Sequence, residues 1–350
     1  MSRDYRIDFL KGIAIFLVVL GHVLQYGLND YSNNPIFVII YSFHMPLFIF
    51  LSGYIAYFSF SKDKKISYIF KRFIQLMLPF VFWGVLVCFM ESFLSYYKDG
   101  IFPIGEYLLN LLIVPEHGLW YLYVLFIFNI VHFLLSVIYK KIKTNYIKIC
   151  IVIMSISLIV LLFLLPLPNK LGLINISFLA PFYGIGILMN YIKCKKSVDF
   201  KNKYLAIFLS VLMISCLVLV VIKNGNYYLN KGIIDSNYFF NILNKFIKFF
   251  IAFEISFTLF YLSGYINQEL IINKYISNVG FYSLDIYIFQ LVPTYLLIYL
   301  QNRINVYLYT YVLSLLISVL LIILIILFSK YIIRKVKILS LLCLGKYNIN

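Results

Sequence analysis

The segment 4–27, DYRIDFLKGIAIFLVVLGHVLQYG, sets a carboxylate, an ammonium and an imidazole along one apolar run: Asp8, Lys11 and His22. Read as a helix, eleven steps of about 1.5 Å put His22 roughly 16 Å beyond Lys11. Lys11 then lies at one mouth of the segment and His22 past its middle. Asp8 stands three residues before Lys11, a spacing that lets the two pair on one face. Ionisable groups inside an apolar span face the protein interior and mark function by default. An imidazole there either handles a proton or bonds a neighbouring helix as packing, and the charged mouth favours the first.

Further along, FHMPLFIFLSGY (43–54) carries His44, with Pro46 expected to break the helix locally and free carbonyls. Ser52 and Gly53 permit close helix packing. KRFIQLMLPF (71–80) offers Lys71 and Arg72, either as anchors at a membrane face or as a phosphate site at a helix N-terminus. PEHGLWYLYVLF (115–126) places Glu116, His117 and Trp120 at the mouth of another span. Glu254 and Asp285 fall inside apolar runs, and each needs a cation or a proton. His132 has no motif around it and reads as packing.

The elements that must hold these residues follow from composition. The 350 residues are 63% hydrophobic and 12% charged, with a mean hydropathy of +0.95. A soluble domain has nowhere to put that much apolar surface. Runs such as VLSLLISVLLIILIILF (312–328) show no alternation, so a β-barrel is not the fold. The expected class is all-α: a polytopic membrane protein of about ten transmembrane helices near 9–26, 36–58, 73–93, 118–138, 149–167, 173–191, 205–222, 247–266, 281–300 and 306–328. Pro166 and Pro168 close the fifth span, and the sixth restarts after Gly172.

With a cytoplasmic N-terminus, 23 of the 30 Lys and Arg residues fall on inner segments and 7 on outer ones. That split is a positive-inside signal and sets both termini in the cytoplasm. It also accounts for the net charge of +17 without nucleic acid. The five cysteines are scattered without a CxxC pair, and the four histidines lack metal-ligand spacing, so no metal is expected. The first apolar run lacks a small-x-small cleavage site and is expected to stay as a span. Residues 1–350 read as one integral-membrane domain. Its longest outer stretch, 223–248, is rich in Tyr and Asn and serves as an interfacial belt or as a sugar-stacking surface.

RIDFLKGIAIFLVVLGH resembles the opening of the acyltransferase-3 family of membrane O-acyltransferases, in which an Asp precedes an Arg or Lys and a His follows at depth. FHMPLFIFLSGY is similar to the family's second-helix motif, KRFIQLMLPF to its basic RxxR segment, LWYLYVLF (119–126) to its fourth-helix aromatic motif, and VGFYSLDIYIFQ (279–290) to its late G-x-x-S-L-x-I-Y-x-x-H segment. Two positions depart: Gln75 stands at the second basic position of RxxR, and Gln290 at the late His.

The resemblance implies transfer of an acetyl group from cytoplasmic acetyl-CoA to a hydroxyl of a cell-envelope or secreted carbohydrate, in the plasma membrane of a bacterium. Arg72 and Lys71, with Gln75, would receive the polyanionic coenzyme, and Asp8 and Lys11 would organise the inner mouth. His22 would be the general base or a transient acetyl carrier. A thioester already has a good leaving group, so the difficulty is removing the alcohol's proton, which a neutral imidazole can do. His44, Glu116 and Trp120 are candidates for the acceptor side. The competing class is a transporter or flippase for a lipid-linked sugar or small solute, which the intramembrane charges also fit. Such folds often carry internal repeats, and no second copy of LKGIAIFLVVLGH occurs.

Overall fold

The fold comes from a computed structural model, which describes residues 4–28, 31–61, 66–99, 119–168, 170–196, 202–222, 238–294 and 311–346, with isolated positions at 105, 109, 111, 113 and 115. Among them every regular element is a helix: α1 Tyr5–Gly27, α2 Pro35–Ser61, α3 Ser67–Asp99, α4 Trp120–Lys141, α5 Asn145–Leu164, α6 Leu173–Lys196, α7 Lys203–Ile222, α8 Tyr238–Leu262, α9 Ile271–Phe281, α10 Ser283–Phe289, α11 Tyr311–Tyr331 and α12 Lys337–Leu344. Nine of these helical stretches are long and apolar enough to cross a membrane. The all-α, multi-pass reading therefore holds.

Several boundaries differ from the sequence expectation, for physical reasons. α3 starts at Ser67, not near 73, so Lys71 and Arg72 ride inside the helix instead of preceding it. α8 starts at Tyr238 and takes in the end of the stretch expected to be an outer loop. Asn241, Lys245 and Lys248 recur at helical spacing and are all half-buried, a polar face that hydropathy alone counts as loop. Pro46 does not break α2, which runs on through it. The span expected at 281–300 is divided at Tyr282 between α9 and α10, and its end lies outside the described residues. The break after α5 falls where Pro166 and Pro168 place it, and α6 restarts after Gly172, whose φ is +64°.

The chain forms two compact units. The first comprises residues 1–51 and 192–330. Here α1 packs chiefly on α9 and also on α10. The α1–α9 crossing is main chain on main chain: a Cβ on Gly12 would overlap the Ile276 carbonyl, and one on Gly280 the Asp8 carbonyl. Ile7, Leu10, Ala14, Ile15, Val18 and Val19 of α1 are buried. α7 packs on α8, and the Tyr261 hydroxyl receives the Asn202 N–H (2.8 Å) at the start of α7. Asp4 caps α1 by accepting from the Arg6 N–H (3.1 Å), and it also holds the Arg6 guanidinium (3.1 Å) and the Lys193 ammonium (3.5 Å).

The second unit comprises residues 52–191 and 331–350. α3 packs on α4, and α12 on α3. Gly345 ends α12 in the left-handed conformation (φ +61°), and a Cβ there would strike the Gln75 backbone. The Trp83 indole donates to the Cys343 carbonyl (3.4 Å). Gly53 of α2 lies on the Tyr183 backbone of α6, again too close for a Cβ, and the Asn190 amide donates to the Tyr54 carbonyl (2.6 Å).

Gly12→Ala and Gly280→Ala should each lower the melting temperature of the detergent-solubilised protein, by the equivalent of about 1–3 kcal/mol for a helix pair forced apart. Gly184→Ala, where the nearest atom is 4.0 Å away, should be neutral. Equal tolerance at all three positions would show that the crossing is not close. A second expectation concerns Asp4. Burial pushes its carboxyl up, but the hydrogen bond and charge of Arg6 and the charge of Lys193 outweigh that and hold it below its ordinary value of 3.8. A depressed carboxyl contributes stability above its unfolded pKa and loses it as pH falls through the folded one. Melting curves of the wild type should thus lose stability below about pH 3.8 relative to Asp4→Asn, and Asp4→Ala should cost about 1 kcal/mol at pH 7 through the lost cap.

Candidate functional site

In the first unit the two histidines come from neighbouring turns of α1 and α2. A Cβ on Gly21 would sit 2.9 Å from the Tyr41 ring and 3.3 Å from Ile40, so the helix carrying His22 lies close on α2. The Tyr41 hydroxyl donates to the Gln25 side-chain carbonyl (2.7 Å), a bond from α2 to α1 one turn beyond His22. Leu20, Leu24, Phe37 and Ile40 form the buried apolar cluster beside it.

His44 is buried, and its Nδ1 lies 2.7 Å from the Ile40 carbonyl. A carbonyl can only accept, so Nδ1 carries the proton and, in the neutral ring, Nε2 carries the lone pair. Tyr41 meets the His44 ring edge-on at 4.9 Å. His22 is half-buried, and its Nδ1 is fully enclosed without a hydrogen-bond partner among the described residues. His22 and His44 thus stand on adjoining turns, one residue after Gly21 on α1 and one turn after Ile40 on α2. A titratable nitrogen without a partner at that depth has a destabilising cost that a packing histidine avoids. Such an arrangement can accept and pass on a proton.

Asp8 is buried on the side of α1 that meets α9, and Lys11 is half-buried less than a turn further on. The late motif lies here too: Gly280 is the residue that admits the Asp8 carbonyl. Thus the first and last resemblance motifs form one crossing. Gln290, where the family motif has His, is buried with its side-chain carbonyl unpartnered among the described residues. The two internal acids have hydroxyl donors. Thr258 donates to Glu254 (2.9 and 3.1 Å), and Ser329 donates to Asp285.

The second unit holds the basic segment. Arg72 is half-buried, with Nε donating to the Tyr68 hydroxyl (3.1 Å) and Nη1 to the Gln75 side-chain carbonyl (2.7 Å). The guanidinium also lies over the Tyr68 ring at 5.3 Å. Tyr68 in turn donates to the Asn129 side chain (3.1 Å), which donates to the Leu125 carbonyl (2.7 Å). Gln75 therefore acts as the holder of Arg72, and Lys71, one residue and about 100° away, is exposed. Because Arg72 lies in the second turn of α3, anion binding here would rest on its side chain and not on the helix N-terminus. Trp120 is half-buried at the start of α4. Glu116 and His117 lie outside the described residues.

Sequence reasoning passed over Tyr68, Asn129, Tyr121 and Tyr183. Tyr121 shares a hydrogen bond with Ser52 (2.9 Å), and Tyr183 lies on Gly53. The available signals were modest: Tyr68 precedes Arg72 by one helical turn, Asn129 is a lone amide in an apolar helix, and Tyr183 sits between Pro181 and Gly184.

Comparison with known proteins gives the site its context. The family model described as an acyltransferase domain matches residues 4–331. The nodulation protein NolL of Mesorhizobium japonicum is 32% identical over 195 residues, covering 53% of this chain and 48% of that protein. NolL of Sinorhizobium fredii is 42% identical over 90 residues, 25% of each chain. The chain thus spans about half the length, or less, of the curated relatives it matches. No solved structure matches it. With nine apolar helices of spanning length among the described residues and a family match over nearly its whole extent, the chain belongs to the acyltransferase-3 family of multi-pass membrane acyltransferases.

Proposed function

We propose that the protein transfers an acetyl group from cytoplasmic acetyl-CoA to a hydroxyl of a cell-envelope or secreted carbohydrate, in the plasma membrane of a bacterium. The observation that carries this reading is the pair of imidazoles on adjoining turns of α1 and α2, one with an enclosed nitrogen that has no partner among the described residues.

His22 removes the proton from the acceptor hydroxyl as the oxygen attacks the thioester carbonyl. A C–O bond forms, the C–S bond breaks, and the coenzyme leaves as a thiolate that takes the proton back from the imidazolium. General-base help of this kind contributes typically ~10²–10⁴-fold. In the alternative route His22 first takes the acetyl group itself and then passes it to the hydroxyl. Arg72, held by Tyr68 and Gln75, receives a phosphate of the coenzyme through its planar fork. Lys71 adds a mobile positive charge nearby. Asp8 and Lys11 organise the inner mouth, and His44, Glu116 and Trp120 serve the acceptor side. No metal takes part.

Membranes carrying the wild-type protein and supplied with acetyl-labelled CoA should transfer label into polysaccharide. His22→Ala should reduce that transfer by about 10² or more while acetyl-CoA still raises the melting temperature. A variant with near-normal transfer would remove His22 from the chemistry. Absence of both transfer and stabilisation in the wild type would remove acetyl-CoA as the donor. Label retained on His22 after brief exposure, with double-displacement kinetics, would select the carrier route.

A further inference from the structure

Tyr183 is the most informative group that the reading above leaves unused. Its side chain is 6% exposed, and its hydroxyl is enclosed without a hydrogen-bond partner among the described residues. A buried phenol almost always finds a partner, because leaving one unmade costs about 1–3 kcal/mol. The residue is also fixed in place. Its backbone lies on Gly53 with no room for a Cβ, and its ring packs on Phe128 (5.1 Å between centroids) and meets His132 edge-on (6.2 Å). Phe128 and His132 flank Asn129 on α4, the residue that receives the Tyr68 hydroxyl. The Tyr183 ring and the Arg72 network therefore meet the same turn of α4, one through Phe128 and His132 and the other through Asn129 and Tyr68.

Arg72 supplies the second, independent observation. Among the described residues two of the five guanidinium N–H donors are engaged, by Tyr68 and Gln75, which leaves three. Both partners are neutral, and among the described residues Arg72 forms no ion pair. A half-buried cation lacking a counter-charge and an enclosed donor lacking an acceptor, both set against one turn of α4, are together short of one anion with several oxygens. Phosphate fits: it brings charge for the guanidinium fork and further oxygens for the phenol.

We propose that the Tyr183 hydroxyl and the free edge of Arg72 form a single phosphate-binding site, with Tyr183 donating to a phosphate oxygen that Arg72 also holds. The proposal rests on the reading of Arg72 as the residue that binds the donor, and it assigns Tyr183 as a further binding residue for it. Tyr121, tied to Ser52, lines the same side, and Gly53 sets the depth at which the phenol stands.

The test compares wild type, Tyr183→Phe and Arg72→Gln as full-length proteins in a phosphate-free maltoside detergent. CoA and a short-chain phosphatidic acid are titrated separately by calorimetry. Tyr183→Phe keeps the ring and its packing and removes the unpartnered hydroxyl, so its unliganded melting temperature should equal or exceed that of the wild type, and a value that is not lower establishes the fold. The expected result is that Tyr183→Phe weakens CoA binding about tenfold, the cost of one hydrogen bond to a charged group, and that Arg72→Gln weakens it at least as much. Weakening for phosphatidic acid alone would keep the phosphate site and assign it to a lipid headgroup. If Arg72→Gln weakens CoA while Tyr183→Phe binds both ligands normally, Tyr183 is not part of the site. If neither substitution matters for either ligand, the donor-binding role of Arg72 fails as well.

Discussion

Everything described above depends on helices that touch main chain to main chain. In a bilayer the hydrophobic effect does not drive one apolar helix onto another, because lipid is as apolar as leucine. Close backbone approach, with its summed dispersion, takes over that role, and only a residue without a Cβ allows it. Gly12 and Gly280 do this for α1 on α9, and Gly53 does it for α2 on α6. Each crossing lies next to chemistry. Asp8 and Lys11 flank Gly12, and Tyr183 is the residue that Gly53 admits. The small residues thus act as rulers that set where long polar side chains end up.

Burial varies along the bundle in step with this. In α2, 72% of the residues of the most apolar stretch are buried, and in α1 61%, against 6% in α5. α1 and α2 are the helices that carry His22 and His44. α5 carries large exposed residues such as Ile149, Ile153, Met154, Ile156 and Leu161, which suit a face turned to lipid. The chain therefore places these two imidazoles on the helices with the most protein around them, where a fixed dipole or hydrogen bond can replace the water that the bilayer lacks.

Much of this was legible in the sequence, for a definite reason. Apolar runs of about 20 residues have one physical outcome in an all-helical membrane protein, so nine of the ten expected spans could be set out from hydropathy. His22, Asp8 and Lys11 stood out because their ionisation is at odds with their surroundings. What hydropathy could not see is polar faces inside helices. Lys245 and Lys248 look like loop until the helical spacing with Asn241 is counted, and Arg72 looks like a flanking anchor until Tyr68 is placed one turn before it. Pro46 was over-read: an α2 surrounded on most sides continues through the lost hydrogen bond. The role of Tyr183 had no local signature at all, because it depends on which backbone lies opposite Gly53, and that is a tertiary fact.

The polar groups in the spans then sort by whether the fold has closed them. Glu254 has Thr258, Asp285 has Ser329, and the Asn190 amide has the Tyr54 carbonyl. Each of these bonds is a local answer to burial and needs no visitor. The His22 nitrogen, the Tyr183 hydroxyl and the outer edge of Arg72 have no such answer among the described residues. A group held open this way lowers stability in the resting protein. An open hydroxyl by itself, as at Ser256 or Ser277, carries no further meaning. An open group that shares a helix turn with a cation's network, or that stands on the turn adjoining a second imidazole, has a defined complement: an anionic oxygen in the first case and a transferable proton in the second. Those are the two things an acyl donor bearing phosphates and an alcohol acceptor bring with them.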